Sequence, residues 1–312
     1  MATRSIPAHP AALYFNELVP QQGEQCTLFG HFYHPPADDV DLTRAVVAKS
    51  AGGWAVMDRS DINDIVSGGV FYETPGKKQM LAVYRRGESF FYPDARGAAR
   101  FSIRKPPNVG FLAGVALIAG WAYTCGSQNA VYKLDGAVWV DVAGRLRVPY
   151  AGPNDPILNA IDGFDGSDIY AVGYNGAVVH FDGTRWHQLD APTNQHLHQV
   201  LCHADGHVYT CGRGGTVLRG QTDVWEDLSS PECKDDFWGL AAFKGEVYVC
   251  TYHALFRIVG SDLVRIDVPV NSAGSFYRLA SNDSFLWATT GTGRVVRFDG
   301  RVWIELVWPD SV

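Results

Sequence analysis

The 312-residue sequence lacks several features that mark whole classes of protein. No apolar run approaches the length of about eighteen residues that a membrane-spanning helix needs. The N-terminal stretch MATRSIPAHPAALYF has no apolar segment of signal-peptide length. Lysine and arginine, 26 in all, are outnumbered by 33 acidic residues, and the net charge of −7 argues against a broad nucleic-acid-binding surface, which requires clustered cations. We therefore expect a cytoplasmic protein that binds neither membranes nor nucleic acids.

Sequence signatures of catalysis are missing as well. The chain has no G-x-S-x-G nucleophile elbow, no phosphate-binding loop and no H-E-x-x-H motif. The adjacent pairs Asp38-Asp39 and Asp235-Asp236 are better explained as solvated turns, because neighbouring loop residues rarely point into one site. We predict that the chain is not an enzyme and takes no cofactor.

What the sequence does contain is an internal repeat. Similar stretches begin at aromatic anchor residues spaced 47, 39, 39 and 39 positions apart, namely Tyr123, Tyr170, Tyr209, Tyr248 and Trp287. A fixed period near forty is typical of repeat architectures, in which each unit buries its faces against its neighbours. The repeat therefore decides the fold class.

Each repeat unit has the pattern of four β-strands. A glycine-rich turn follows the anchor residue and leads to an alternating strand such as AVVHF or RVVRF. Asp-Gly pairs at 135–136, 182–183 and 299–300 supply the left-handed conformations of two-residue hairpins. A fourth strand then opens near a tryptophan, at Trp139, Trp186, Trp225 and Trp303. Four antiparallel strands in forty residues predict a propeller blade.

The number of blades follows from extending this repeat towards the N-terminus. Stepping back 39 residues from Tyr123 reaches Tyr84, with Gly87 at the same offset as Gly126 and Phe101 near the tryptophan position, which indicates a sixth blade. An eroded unit around Trp54 gives seven blades, with six as the alternative. We predict an all-β propeller over residues 41–312. Residues 1–40 match no repeat and are expected to form a cap, a loop or a ring-closing strand.

The unit Y-x-h-G-x-x-G-x-V-x-x-F-D-G-x-x-W, with h apolar, resembles the degenerate blades of bacterial β-propeller repeat proteins. These are akin to the tryptophan-aspartate and kelch repeat classes without matching either. The resemblance covers about 230 residues well and implies the propeller fold. It does not imply one function, because propellers include binding scaffolds, lectins and enzymes.

Histidine and cysteine positions are both explained by the repeat. Two imidazoles of a His-x-His pair on a strand lie on one side, as a metal site requires, and four histidines crowd together at His196, His198, His203 and His207. Our alignment places His198 at a core position shared with Leu158, Phe237 and Phe276, so we predict no metal site. Three cysteines follow the anchor tyrosines at equivalent positions and are expected to be reduced, inert core residues: Cys125, Cys211 and Cys250.

In a propeller, the connections between blades share one face with the turns between strands two and three. Because the longer loops lie on this face, we predict that it binds the partner. The opposite face carries tight Asp-Gly hairpins. The candidate partner-binding residues are Tyr150, Asn154, Asp155, Tyr174, Asn194, His196, Arg213, Asp235, Asp236, Tyr252, His253 and Asn271.

Taken together, these features favour a non-enzymatic, monomeric propeller that binds another protein. A stoichiometric inhibitor, such as an immunity protein that neutralises a basic toxin, would fit the acidic charge and the solitary architecture. The alternative is a carbohydrate-binding lectin or glycosidase-like propeller that uses its tryptophan column to stack sugars. Against the glycosidase, FDGTRW and FDGRVW lack the serine and spacing of sialidase boxes, and packing between blades explains the tryptophans without a ligand.

Overall fold

The computed structural model describes residues 12–33, 43–51, 53–60, 66–74, 77–93, 101–103, 110–150, 152, 155–269, 275–290 and 293–308. Its strands form seven four-stranded antiparallel sheets, so the prediction of an all-β propeller with seven blades is confirmed. In each sheet the strands pair in chain order. The helical segments among these residues are three single 3-10 turns, and none has the length or apolarity to cross a membrane.

The strands of the first three blades are as follows. Blade 1 contains β1 (Ala12–Pro20), β2 (Cys26–Tyr33), β3 (Thr43–Ser50) and β4 (Gly53–Ser60). Blade 2 contains β5 (Val66–Thr74), β6 (Lys77–Tyr84), β7 (Ser89–Pro93) and β8 (Phe101–Ile103). Blade 3 contains β9 (Leu112–Ile118), β10 (Trp121–Gly126), β11 (Ala130–Asp135) and β12 (Val138–Asp141), followed by the 3-10 turn Gly144–Leu146.

The remaining four blades follow the same plan. Blade 4 contains β13 (Leu158–Asp165), β14 (Asp168–Gly173), the 3-10 turn Tyr174–Gly176, β15 (Val178–Phe181) and β16 (Trp186–Leu189). Blade 5 contains β17 (Leu197–Cys202), β18 (Val208–Gly212), the 3-10 turn Arg213–Gly215, β19 (Val217–Gln221) and β20 (Val224–Asp227). Blade 6 contains β21 (Phe237–Phe243), β22 (Glu246–Thr251), β23 (Leu255–Val259) and β24 (Asp262–Ile266). Blade 7 contains β25 (Phe276–Ser281), β26 (Leu286–Thr290), β27 (Arg294–Phe298) and β28 (Trp303–Val307).

The hydrophobic core is divided among the seven interfaces between blades. One buried cluster joins blades 3 and 4 and includes Tyr123, Leu158 and Ile169, and each of the other six interfaces has an equivalent cluster. The first strand of each blade contacts the first strand of the next, and β25 contacts β1. Because every unit buries its faces only against its neighbours, the ring of blades is the structure that satisfies all of them.

The last interface, between blades 7 and 1, closes the ring, and in the part of the chain that the structure describes no strand is exchanged between these two blades. Apolar contacts there include Phe15 with Trp287 and Trp308. Polar contacts cross the same seam: Arg297 pairs with Glu24 at 3.0 Å, and the Asn282 side chain donates hydrogen bonds to the carbonyls of Gln21 and Gly23.

Residues 12–33, which precede the predicted start of the propeller, supply strands β1 and β2 of blade 1. Trp54 lies on β4, so the eroded unit around it combines the end of blade 1 with the start of blade 2. These two blades escaped a precise alignment because they lack both the Asp-Gly-x-x-Trp sequence of blades 3, 4 and 7 and the aromatic anchor residue of blades 3 to 7.

The predicted equivalence of Tyr84 with Tyr123 was wrong by three residues. Tyr84 pairs with the first residue of β5, just as Gly126 and Gly173 pair with the first residues of β9 and β13. Leu81 therefore occupies the anchor position of blade 2, and Gly87 is not the counterpart of Gly126. Phe101 does open the fourth strand, β8, as predicted.

The repeated tryptophans and cysteines pack inside the ring. Trp139 is buried between blades 2 and 3, where its indole N–H donates to the Ser89 hydroxyl at 3.1 Å. Trp186 packs between blades 3 and 4 and donates to the Val142 carbonyl. Packing of the tryptophan column between blades is thus confirmed, and stacking of sugars on it loses its basis. Cys125, Cys211 and Cys250 are free thiols and buried, as predicted. Burial raises the pKa of each of these thiols.

Candidate functional site

The turns between strands two and three and the connections between blades share one face, which we call the long-loop face. Backbone hydrogen bonds join them directly: Tyr174 N donates to the Ile157 carbonyl, and Gly176 N donates to Gln195. Close approach explains the glycine at the end of the second strand, since a Cβ at Gly173 would lie 1.9 Å from the Ile157 oxygen. The predicted assignment of these loops to a common face is therefore confirmed.

Tyr174 and His196 form a stacked pair on this face. Their ring centroids lie 4.2 Å apart and their planes differ by 8°. Nδ1 of His196 accepts a hydrogen bond from the Asn175 backbone N–H at 3.0 Å, so the neutral ring carries its proton on Nε2. Burial, followed by the charge of Arg213, lowers the pKa of His196. The pair is thus a rigid, neutral surface element at pH 7.

Arg213 and Asp236 extend this surface across blade 5. The Arg213 backbone N–H donates to the His196 carbonyl at 2.8 Å, and its side chain is exposed. Within the described ranges, the Arg213 guanidinium makes no hydrogen bond or ion pair. Oδ1 of Asp236 accepts a hydrogen bond from Gly214 N at 2.9 Å. The structure therefore brings Tyr174, His196, Arg213 and Asp236 together through direct contacts.

The other predicted site residues are more scattered. Tyr150 is 75% exposed and Tyr252 is 50% exposed, with the His253 ring edge-on to Tyr252 at 5.2 Å. Asn194 and Asp235 are exposed in connections between blades. Asp155 is only 8% exposed, which leaves little of its side chain for a partner. Asn154 and Asn271 lie outside the described residues.

Three further rings form an arc along the innermost strands at the same face. The His198 imidazole stacks on Trp238 with centroids 4.3 Å apart and planes 7° apart, and Trp238 stacks on Tyr277 at 5.8 Å. Each ring belongs to the second residue of the first strand in its blade, where the ladder is broken by a bulge. A bulge leaves one residue unpaired and redirects its side chain. We call His198, Trp238 and Tyr277 the channel-mouth arc.

Side chains at this bulge position also link neighbouring blades. Asn159 Nδ2 donates to the Leu197 carbonyl at 2.7 Å, and His198 Nδ1 donates to the Phe237 carbonyl at 2.9 Å. Burial lowers the pKa of His198, which leaves its Nδ1–H to donate in the neutral form. These contacts fix the arc in place without help from a ligand.

The predicted core role of His198 was wrong by one residue. Leu197, rather than His198, is the buried counterpart of Leu158, Phe237 and Phe276, because each of these four pairs with the last residue of the second strand. Sequence reasoning missed Trp238 and Tyr277 for the same reason, since a bulge interrupts the two-residue alternation. A signal was present: in LNAI, LHQV, FWGL and FYRL the buried position is followed by Asn, His, Trp or Tyr.

Arg278 and Glu17 lie at the end of the arc, where blade 7 meets blade 1. The Arg278 guanidinium lies 5.5 Å from the Tyr277 ring centroid, and its Nε is 3.4 Å from a Glu17 oxygen. Burial raises the pKa of Glu17, although Arg278 opposes this shift. Arg278 Nε is buried and forms no well-aligned hydrogen bond within the described ranges.

The histidine cluster is divided between the two ends of β17. His196 and His198 lie at the long-loop face, while His203 and His207 lie in the turn at the opposite end, where both are close to Asp205. Because a strand rises about 3.3 Å per residue, these pairs cannot converge on one ion. The described residues contain no group of three or more ligating side chains.

The opposite face, which we call the hairpin face, carries a series of acidic turn residues. Several hold their own turns together: Asp182 Oδ1 accepts hydrogen bonds from the backbone N–H groups of Thr184 and Arg185, and Asp299 does so from Arg301 and Val302. Hydrogen bonding lowers the pKa of both carboxyl groups. The described acidic residues of these turns include Asp165, Asp182, Asp205, Asp223, Asp283 and Asp299.

Comparison with solved structures supports the fold. The chain is similar to YCF48 bound to a D1 peptide, with a TM-score of 0.65, 16% identity, and coverage of 94% of this chain and 95% of that one. The WD40 propeller domain of Doa1 gives a TM-score of 0.67 at 12% identity, over 93% and 95% of the two chains. Chaetomium thermophilum Sqt1, bound to the N-terminus of ribosomal protein L10, gives a TM-score of 0.63 at 14% identity, with coverage of 95% of this chain and 86% of that one.

Comparison of sequences is more specific. No family model matches the chain. Immune protein Tsi7 of Pseudomonas aeruginosa strain PAO1 is 33% identical over 266 residues, which cover 82% of this chain and 85% of that protein. This relationship confirms the prediction of a non-enzymatic, protein-binding propeller of the immunity-protein kind, which the fold alone would leave open. The chain belongs to the family of immune protein Tsi7.

Proposed function

We propose that this chain is an immunity protein that neutralises a toxin by forming a stoichiometric complex through its long-loop face. The observation that carries the proposal is the continuous surface formed by Tyr174, His196 and Arg213, next to the channel-mouth arc. Tyrosine, tryptophan and arginine are the residues that most often dominate the binding energy of protein interfaces.

The rigidity of this surface supports the same proposal. Its rings are stacked on one another, and backbone hydrogen bonds hold the turns that carry them. A surface that is already ordered loses little conformational entropy on binding, so more of the contact energy appears as affinity. An inhibitor that must silence a toxin at low concentration benefits from this property.

Two solved structures with the same fold contain a bound segment of another protein, a D1 peptide in YCF48 and the N-terminus of ribosomal protein L10 in Sqt1. They support a propeller surface as a site for a protein segment. We further propose that the chain acts as a monomer in the cytoplasm, and that its net charge of −7 favours encounter with a basic toxin over long range.

The proposal is tested by co-expressing the chain in a bacterial host with the products of the genes that flank its own gene. We expect one flanking product to be lethal alone and tolerated with the chain, and the two proteins to co-elute as a one-to-one complex. Protection without a stable complex, or no lethal product that the chain neutralises, would contradict the proposal.

Matched double variants identify the binding face. Arg213→Ala with Tyr252→Ala removes an exposed arginine and an exposed apolar side chain from the long-loop face, and Arg301→Ala with Val224→Ala does the same on the hairpin face. We expect the first pair to weaken the complex about 100-fold and the second to leave it unchanged. The reverse pattern would place the toxin on the hairpin face.

A further inference from the structure

The central rings of the channel-mouth arc are already engaged in contacts through their faces. Trp238 stacks with both His198 and Tyr277, and the Arg278 guanidinium lies 5.5 Å from the centroid of the Tyr277 ring. A lysine or arginine of a partner binds to the face of an aromatic ring, where the quadrupole is negative. These contacts leave less ring face on Trp238 and Tyr277 for a basic anchor residue.

The exposed parts of the arc are suited to contact a hydrogen-bond acceptor or an anion. The edges of stacked rings carry the positive part of the quadrupole. Tyr277 is 40% exposed, and its hydroxyl makes no hydrogen bond within the described ranges. Ring edges and the hydroxyl group can both face a carboxylate oxygen favourably.

Charged neighbours add to this preference. The charges of Arg213, Arg278 and Asp236 all act on His198. The carboxylate of Asp236 already accepts the Gly214 N–H. Arg278 is paired with Glu17, so the exposed Arg213 is the guanidinium beside the arc that, among the described residues, remains for a partner's carboxylate.

We propose that the channel mouth binds an acidic anchor, an aspartate or glutamate side chain presented by the partner protein. The Arg213 guanidinium, which is exposed, pairs with the carboxylate, while the edges of Trp238 and Tyr277 pack beside it. This inference rests on the proposed function, because it specifies the chemistry of the contact made by the same face. It is compatible with a partner that is basic overall, since net charge acts over long range and the anchor acts in contact.

The test uses three short blocked peptides, in which glycine alternates with glutamate, glutamine or lysine. Each is titrated by calorimetry into the full chain at low salt. We expect the glutamate peptide to bind more tightly than the other two. We expect Arg213→Glu to weaken its binding about tenfold. Arg301→Glu on the hairpin face changes the net charge equally and should have no effect.

Tyr277→Ala provides a second variant, which retains both arginines and removes one exposed ring edge. This variant should also bind the glutamate peptide more weakly than the wild type does. Circular dichroism checks that the variant folds. The proposal is overturned if the lysine or glutamine peptide binds as tightly as the glutamate peptide, if none of the three binds, or if Arg301→Glu is as damaging as Arg213→Glu.

The two proposals fail in different ways. A chain that protects cells and forms the complex, yet shows no preference for the glutamate peptide, retains its proposed function and loses the acidic anchor. A chain that binds the glutamate peptide but neutralises no flanking gene product retains the acidic-anchor site and loses its proposed function as an immunity protein.

Discussion

The Tyr174 ring lies flat against the His196 imidazole, and this contact ties the turn of blade 4 to the connection that enters blade 5. The imidazole can accept the hydrogen bond from the Asn175 N–H only while its Nδ1 is unprotonated. A surface contact on the long-loop face therefore depends on the neutral state of one histidine.

Acidification should loosen this contact. The pKa of His196 is lower in the folded chain than its usual value near 6.5, so the unfolded state binds more protons and stability falls as pH drops below about 6.5. His196→Asn retains an acceptor near the position of Nδ1 but does not titrate. We expect the variant to lose less stability than the wild type between pH 7.5 and 5, measured by urea unfolding. Equal losses in the two proteins would show that His196 does not contribute.

Ring closure depends on ion pairs that cross the seam between blades 7 and 1. Arg297 is buried over the Phe285 ring and pairs with Glu24 of blade 1. Arg297→Ala should therefore reduce the free energy of unfolding by about 2 to 4 kcal/mol, because it removes a buried cation that pairs across the seam.

A matched control for this prediction is Arg257→Ala. Arg257 is opposite the anchor Tyr248 in the strand pair just as Arg297 is opposite Trp287, but it pairs with Glu246 of its own blade and its side chain is 36% exposed. We expect its loss to cost about 1 kcal/mol or less. If urea unfolding shows the same loss of free energy of unfolding in both variants, the ion pair across the seam contributes no more to stability than a pair within one blade.

The glycine at the end of β14 should tolerate no side chain. A Cβ on Gly173 would overlap the Ile157 oxygen, which belongs to the rigid backbone entering the same blade. Gly173→Ala should thus lower stability by more than about 2 kcal/mol. Gly166→Ala has no atom within 4 Å of the new methyl group and no positive φ, so thermal unfolding should barely change.

Native thiol reactivity should be confined to Cys233. Cys125, Cys211, Cys250 and Cys26 are buried, and burial raises the pKa of their thiols, so little thiolate is available to react. Cys202 is partly exposed too, but burial, together with the charges of Asp162 and Asp168, raises the pKa of its thiol well above its usual range. Cys233 lies in the connection between blades 5 and 6 and is partly exposed, and burial raises the pKa of its thiol as well. A chromogenic disulfide reagent should modify about one thiol in the native wild type and almost none in Cys233→Ser. Rapid modification of several thiols in the native protein would contradict this burial.

Much of the fold can be predicted from local sequence, since blades 3 to 7 repeat an aromatic anchor residue and blades 3, 4 and 7 add an Asp-Gly pair. In the Asp-Gly pairs at 135–136, 182–183 and 299–300 the glycines adopt positive φ angles, but the aspartates do not. The prediction of two-residue turns was wrong for blades 4 and 7, whose loops contain the four residues 182–185 and 299–302. Burial of the anchor tyrosines and of Trp139 follows from the same periodicity. Blades 1 and 2 lack these markers, so β1 and β2 were missed and Tyr84 was misaligned.

The site was less predictable because it depends on contacts between repeats. Sequence spacing placed Tyr174, His196 and Arg213 on one face, and the structure joins them. It did not reveal the channel-mouth arc, because the bulge shifts His198 from the core to the channel side of its strand. Stacking of Trp238 between rings of two other blades is a long-range arrangement with no local pattern.

The account depends most on the claim that the long-loop face is the binding surface. Hydrogen exchange of the isolated chain and of its purified toxin complex measures this directly. We expect slower exchange in the complex at residues 174–176, 193–198 and 213–216, and unchanged exchange in the hairpin turns at 182–185 and 221–224. Protection confined to the hairpin turns, with the long-loop face unaffected, would contradict the account.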